Sequence, residues 1–229
     1  MSRLFFVLNM AAVITTLTNA INSLNTLYEG DTDAPSSGDD DFTYWTSLLN
    51  IGVNTWENEE GVLWNELFTK LSAAADGDKT TVADDYSYAL PTNFRFPASG
   101  YVWLGSGTSK TALKVIKREE ITILENNSDN WCYFTSTTLE INPNLTITTG
   151  STISYNYYKY ATALSSGTDT FEMSDPMFAV YFALSELRRD EGDTISGALA
   201  TQKLEAMKTK NAMSTWYQDN FNDLDQEGF

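Results

Sequence analysis

The sequence predicts an α+β fold, a helical bundle with an inserted antiparallel β domain that closes as a small sandwich or barrel-like sheet. Three observations predict it: apolar residues recur at spacings of three and four near both ends, they alternate at a period of two in the middle, and polar turns separate the middle segments. The implied boundaries are N-terminal helices over 1–79, an inserted antiparallel β region over 80–165, C-terminal helices over 170–212 that complete the helical body, and an acidic, aromatic tail over 213–229. With 42% hydrophobic and 13% aromatic residues, the 229-residue chain has enough apolar surface for a substantial core.

In the first helix Met10, Ile14, Leu17, Ile21, Leu24 and Tyr28 form a stripe at alternating spacings of four and three. Its other positions are mostly Thr, Asn and Ala, so the helix suits either a core position or a contact with another subunit. Residues 29–41 have the Asp, Gly and Ser chemistry of a loop. Asp31, Asp33, Asp39, Asp40 and Asp41 lack the spacing of a calcium loop, and an Asp among them is expected to cap the next helix. That helix runs from Phe42 to Trp56 and buries Trp45, Leu48, Leu49, Gly52 and Trp56; a third is expected from Glu59 to Ala75, burying Val62, Leu63, Leu67, Phe68 and Leu71.

The strands are expected at Tyr86 to Leu90, Tyr101 to Leu104, Ala112 to Ile123, Trp131 to Ile141 and Ser151 to Tyr160, with Pro91 blocking further pairing of the first. Gly105 to Thr111, with Lys110 before a Thr, has the outline of a phosphate loop. Ser109 replaces the required Gly and a strand follows instead of a helix, so a hairpin turn is expected. Glu119 and Glu120 are expected on opposite faces of one strand.

In the last strand Ile153, Tyr155, Tyr157 and Lys159 share a face. The period then changes, because Asp175 and Pro176 start a helix whose stripe is Met177, Val180, Tyr181, Leu184 and Leu187, widened by Phe178 and Phe182 and stopped at Gly192. A last helix from Thr194 to Lys210 carries Ile195, Leu199, Ala200, Leu204 and Met207. Beyond it Trp216, Tyr217 and Phe221 sit among acidic residues in a segment too polar to fold alone, and these three are the candidate partner-binding residues.

Charge and composition exclude several classes of chemistry. The net charge is -17, and no Lys or Arg occurs between Arg3 and Lys70, which disfavours specific nucleic-acid binding. An acidic surface would keep passing DNA from sticking at separations below a Debye length, about 8 Å at physiological salt. The basic group Lys110, Lys114, Lys117 and Arg118 suits pairing with carboxylates across a subunit contact, with DNA contact as the alternative. There is no His, and Cys132 is the single cysteine, set among aromatics as an inert buried thiol. No catalytic residue, cofactor site or metal site is expected; Asp223, Asp225 and Glu227 open like an EF-hand loop that has no twelfth position. Leu4 to Leu8 imitates a secretory signal, but Asn9 interrupts the run and neither cleavage nor a membrane span is expected.

Taken together, the helix pair with Trp45, Asn50 and Trp56, then Val82, Tyr86, Tyr88, Leu90, Pro91 and Phe94, and later Tyr157, Tyr158, Lys159, Leu164, Asp169, Pro176 and a terminal helix pair, form an ordered series. This order resembles the head-to-tail adaptor, or connector, proteins of tailed bacteriophages over Phe42 to Met207, with Asn93 standing where the family often has an acidic residue.

The resemblance implies a structural virion protein and no enzyme. It implies a homo-oligomer, usually a twelve-fold ring, at the head-to-tail interface, assembled in the host cytoplasm. Such a ring lies between the portal protein and the tail or nozzle proteins and extends the DNA channel without binding DNA specifically. A tail-completion or tail-tube protein is the near alternative. From another class comes a secreted carbohydrate-binding or glycoside-processing protein, which the aromatic strands and the sequon-like Asn126 and Asn144 would suit.

Overall fold

A computed structural model describes residues 14–71, 79–106, 109–124 and 129–224, with 216–224 as backbone. The fold is α+β. Two compact units divide the chain: a helical unit of Met1–Glu66 with Ala161–Phe229, and a β unit of Leu67–Tyr160 inserted between those segments.

The described residues of the helical unit form α1 (Leu17–Tyr28), α2 (Asp40–Glu57), α3 (Met177–Leu187) and α4 (Ile195–Leu224). Thr16 caps α1, its hydroxyl accepting from the Asn19 amide, and Leu17, Ile21 and Leu24 are buried as the stripe predicts. Met10 and the apolar run Leu4 to Leu8 lie outside the described residues. In α2, Trp45, Leu48, Leu49, Gly52 and Trp56 are all buried. Gly52 is where α3 crosses: a Cβ there would stand 3.1 Å from the Ala179 Cα, so the close approach depends on glycine.

Helix α3 has no exposed residue. Its buried side is Phe178, Ala179, Val180, Ala183 and Leu184, while Met177, Tyr181 and Leu187 of the expected stripe are half-buried; a helix with neighbours on several sides has no single apolar face. The Asp175 carboxylate accepts from the Met177 amide at 3.2 Å, and Gly192 stops the turn after α3 with φ of +71°. Helix α4 starts on Asp193, whose carboxylate accepts from the amides of Ile195 and Ser196 and from the Ser196 hydroxyl. Its backbone continues to Leu224, so 213–224, expected as a polar tail, extends the helix, each added residue contributing one more ladder bond.

The expected helix from Glu59 to Ala75 is not formed over its described part. Gly61 takes a φ of +75°, Asn65–Leu67 make one 3-10 turn, and Phe68–Lys70 form β1. Pairing with a strand overrides the apolar spacing here. Leu67 and Leu71 are buried, but Leu63 and Phe68 are exposed and Val62 is half-buried.

In the β unit, β1 pairs with β9 (Asn156–Lys159), which pairs with β3 (Phe94–Pro97), all antiparallel. The other strands are β2 (Ser87–Ala89), β4 (Tyr101–Ser106), β5 (Ser109–Val115), β6 (Trp131–Phe134), β7 (Thr138–Ile141) and β8 (Ile153–Ser154). They form a curled six-stranded sheet in the order β2-β7-β6-β5-β4-β8. One pairing departs from the expected antiparallel pattern: β5 and β6 run parallel, Lys114 opposite Trp131 and Val115 opposite Cys132.

The parallel pair needs a crossover, and the chain supplies one by leaving the sheet after Val115. Arg118–Glu120 make a 3-10 turn and Ile121–Leu124 one helical turn, so Glu119 and Glu120 lie on that turn and not on opposite faces of a strand. Tyr88, Val102, Leu113, Cys132, Leu139, Ile141, Ile153, Tyr155 and Tyr157 form the core of this unit. Phe94 stacks 5.3 Å from Phe134 and 5.4 Å from Tyr157 beside it.

Candidate interaction surfaces

Charge divides with the fold. The β unit holds eight Lys and Arg against nine Asp and Glu, a net of -1; the helical unit holds six against 22, a net of -16. Among the described residues, two surfaces stand out from the acidic background.

The first is the outer side of α2. Tyr44, Ser47, Ile51 and Asn54 follow one another at spacings of three, four and three, all exposed, with Tyr44 54% and Ile51 49% accessible. Across α1 and α2 together the only charged residues are Asp40, Asp41 and the buried Glu57. A solvated helix usually carries charge along its outer face, and here the carboxylates of α2 are confined to its first turn, at Asp40 and Asp41, and to the buried Glu57 at its end.

The second lies on the β4–β5 hairpin. Register places Tyr101 opposite Lys114, Trp103 opposite Ala112 and Gly105 opposite Lys110, so these residues share one face. Tyr101 is 50% and Trp103 40% accessible, their ring centroids 6.2 Å apart. A groove of about 410 Å³ runs beside them, with Lys70, Lys110 and Asn156 on its walls. Among the described residues Lys70, Lys110 and Lys114 form no ion pair. Gly105 makes the hairpin feasible: its φ is +111°, and a Cβ would meet the Ser109 carbonyl oxygen at 2.4 Å. The Gly105 to Thr111 segment thus joins two antiparallel strands, as expected of a turn; Gly107 and Thr108 lie outside the described residues.

Sequence reasoning singled out Lys110 and Lys114 but missed their aromatic neighbours. The signal was present, since between Asp85 and Glu119 the chain has no acidic residue and five basic ones, and Tyr101 and Trp103 alternate within it. The candidate partner-binding residues Trp216, Tyr217 and Phe221 fall on the last turns of α4, and their side chains lie outside the described residues.

Asn50 and Asp169, which carry the family resemblance, and Asn93, which departs from it, have local roles. The Asn50 amide donates to the Leu164 carbonyl at 2.8 Å while its oxygen accepts the Leu164 N–H at 2.8 Å. Asp169 accepts from the amides of Ser166 and Ser165 at 2.7 Å each and from the Ser165 hydroxyl, and these bonds, the Ser166 amide first, hold its carboxyl below the ordinary carboxylate value. Asn93 accepts from the Tyr157 hydroxyl at 3.1 Å. A hydrogen bond from the Ser196 side chain, more than those from the backbone, lowers Asp193. Burial pushes the Cys132 thiol up to about 12.

A second depression, of about 510 Å³, is bordered by Pro91, Phe94, Arg95, Thr137 and Tyr160 and has no carboxylate in its lining. Among the described residues no three His, Cys, Asp or Glu side chains converge as a metal site, and no helix is long and apolar enough to cross a membrane. Comparison with models of known protein families and with characterised proteins found no match to this chain.

Proposed function

We propose that this chain is a structural virion protein, a head-to-tail adaptor whose copies form a ring between portal and tail and extend the DNA channel. The observation that carries the reading is the exposed, uncharged side of α2 in a unit of net charge -16. Copies of one acidic chain repel where like charge faces like charge, and a face of Tyr, Ser, Ile and Asn avoids that repulsion and loses little on desolvation. The ring body is then helical, with neighbours meeting along α2, and the acidic surface elsewhere faces the passing DNA without holding it. Such a subunit acts by shape and needs no catalytic group. Portal contact falls to the C-terminal part of α4, through Trp216, Tyr217 and Phe221.

Native mass spectrometry of the protein alone and mixed with the portal ring of its own virus tests the reading. A multi-copy species is expected in at least the mixture, and a single copy in both refutes it. A second reading, carbohydrate binding, draws on the exposed Tyr101 and Trp103, whose faces would stack on sugar rings. It predicts quenching of tryptophan fluorescence by soluble glycans, lost in Trp103→Ala.

A further inference from the structure

From the charge pattern we infer that the aromatic and cationic face of the β4–β5 hairpin docks the acidic loop between α1 and α2 of the neighbouring copy, so that each ring subunit offers one surface to each side. The inference rests on the ring reading above and adds to it which surfaces meet.

On one side stand Tyr101 and Trp103 with Lys70, Lys110 and Lys114, none of these lysines ion-paired among the described residues. On the other stand Glu29, Asp31, Asp33 and Asp39 of the loop with Asp40 and Asp41 of the first turn of α2, six carboxylates in thirteen exposed or half-exposed residues with no cation among them. The loop is shaped before it binds: Asp31 accepts from the Asn25 side chain at 2.8 Å and from the Asp33 amide at 3.0 Å, and Asp39 accepts from the Ser36 amide at 2.7 Å. It also runs directly into α2, so it borders the uncharged stripe through which neighbours are proposed to meet.

A heterologous pair of this kind, two different patches on one chain, generates a ring when its rotation closes. Two exposed rings flanked by lysines have the composition of an interface centre, with aromatic anchors inside and charge at the rim. Nucleic acid is the weaker match. Its charge is continuous along the strand, whereas the face offers one cluster of three lysines and the loop is a discrete acidic patch.

The test uses paired charge reversals in the full chain. Among the described residues the side chains of Lys110, Lys114, Glu29 and Asp33 make no hydrogen bond or ion pair, so reversing them leaves each copy folded, which circular dichroism verifies. Lys110→Glu with Lys114→Glu places like charges opposite each other and is expected to weaken multi-copy assembly, alone or on the portal ring, at least about tenfold at 0.15 M salt. Glu29→Lys with Asp33→Lys does the same. All four substitutions in one chain exchange the signs across the contact and restore assembly.

Assembly of either double variant as well as the wild type overturns the inference. So does a fourfold variant no better than the doubles, because the two patches then do not face each other. Wild-type binding of a single-stranded oligonucleotide that Lys110→Glu with Lys114→Glu abolishes, with assembly unchanged, assigns the face to nucleic acid instead. If the wild type never forms a multi-copy species, the ring reading itself fails.

Discussion

Asn50→Ala is the most informative single perturbation of the helical unit. The Asn50 side chain closes both polar groups of Leu164, donating to its carbonyl and accepting its N–H at 2.8 Å each, and Leu164 is 3% exposed. Alanine leaves a backbone donor and a backbone acceptor without partners. At about 1–3 kcal/mol for each unsatisfied buried group, and with water able to reach part of the half-buried site, the loss is about 3 kcal/mol. For a chain of this length that lowers Tm by roughly 6–12 °C.

Asn50→Asp supplies the control. It keeps the acceptor for the Leu164 N–H but turns a carboxylate toward the Leu164 carbonyl, so its folded-state pKa rises above the unfolded value. A raised carboxyl favours the folded state when protonated, so this variant is weakest at neutral pH and regains stability as pH falls through the folded pKa. Urea denaturation followed by helical circular dichroism measures both. A loss below about 1 kcal/mol for Asn50→Ala, together with no recovery of Asn50→Asp in acid, would refute the reasoning.

Three further outcomes are expected. Gly105→Ala forces a side chain into a left-handed φ and against the Ser109 carbonyl, so it destabilises the β unit by about 2 kcal/mol or more in thermal melts, while Ser109→Ala changes little. Asp169 and Asp193 both titrate below the ordinary carboxylate value; their contribution is present above the unfolded pKa and is lost as pH falls through the lower folded values, so Asp169→Asn narrows the stability difference between neutral and acid solution. Cys132, fully buried with its thiol pushed up to about 12, resists a disulfide reagent at pH 8 in the native protein and reacts in urea; rapid native reaction would mean that the β core opens locally.

Much of the helical unit was legible because its helices obey one period. Leu17, Ile21 and Leu24, and likewise Trp45, Leu49 and Trp56, are buried where spacing placed them. The expected helix from Glu59 failed because Val62, Leu63, Leu67, Phe68 and Leu71 follow helical spacing, while pairing of Phe68 with Tyr158 is a long-range fact that no local window contains. Parallel pairing of β5 with β6 was hidden for the same reason: the turn residues Asn127 to Asn130 look alike before a hairpin and after a crossover. Trp131 to Ile141, expected as one strand, folds back between Phe134 and Thr138, where the Thr135 hydroxyl accepts the amides of Thr137 and Thr138. The candidate surfaces were half legible. Lys110 and Lys114 were visible as charge, but their sharing a face with Tyr101 and Trp103 depends on register.

The pairing of β1 with β9 has a consequence for how such a chain can change over time. Phe68 lies opposite Tyr158, one residue inside Leu67 and two inside Tyr160, where the polypeptide departs from the helices and comes back to them. Outgoing and returning strands thus share a single doorway about one strand spacing wide, roughly 5 Å. Whatever hangs beyond that doorway can be lengthened, trimmed or swapped as a cassette without rethreading the helices, because the ends to be spliced already stand side by side. A lineage could refit the inserted module while the helical unit stays the same.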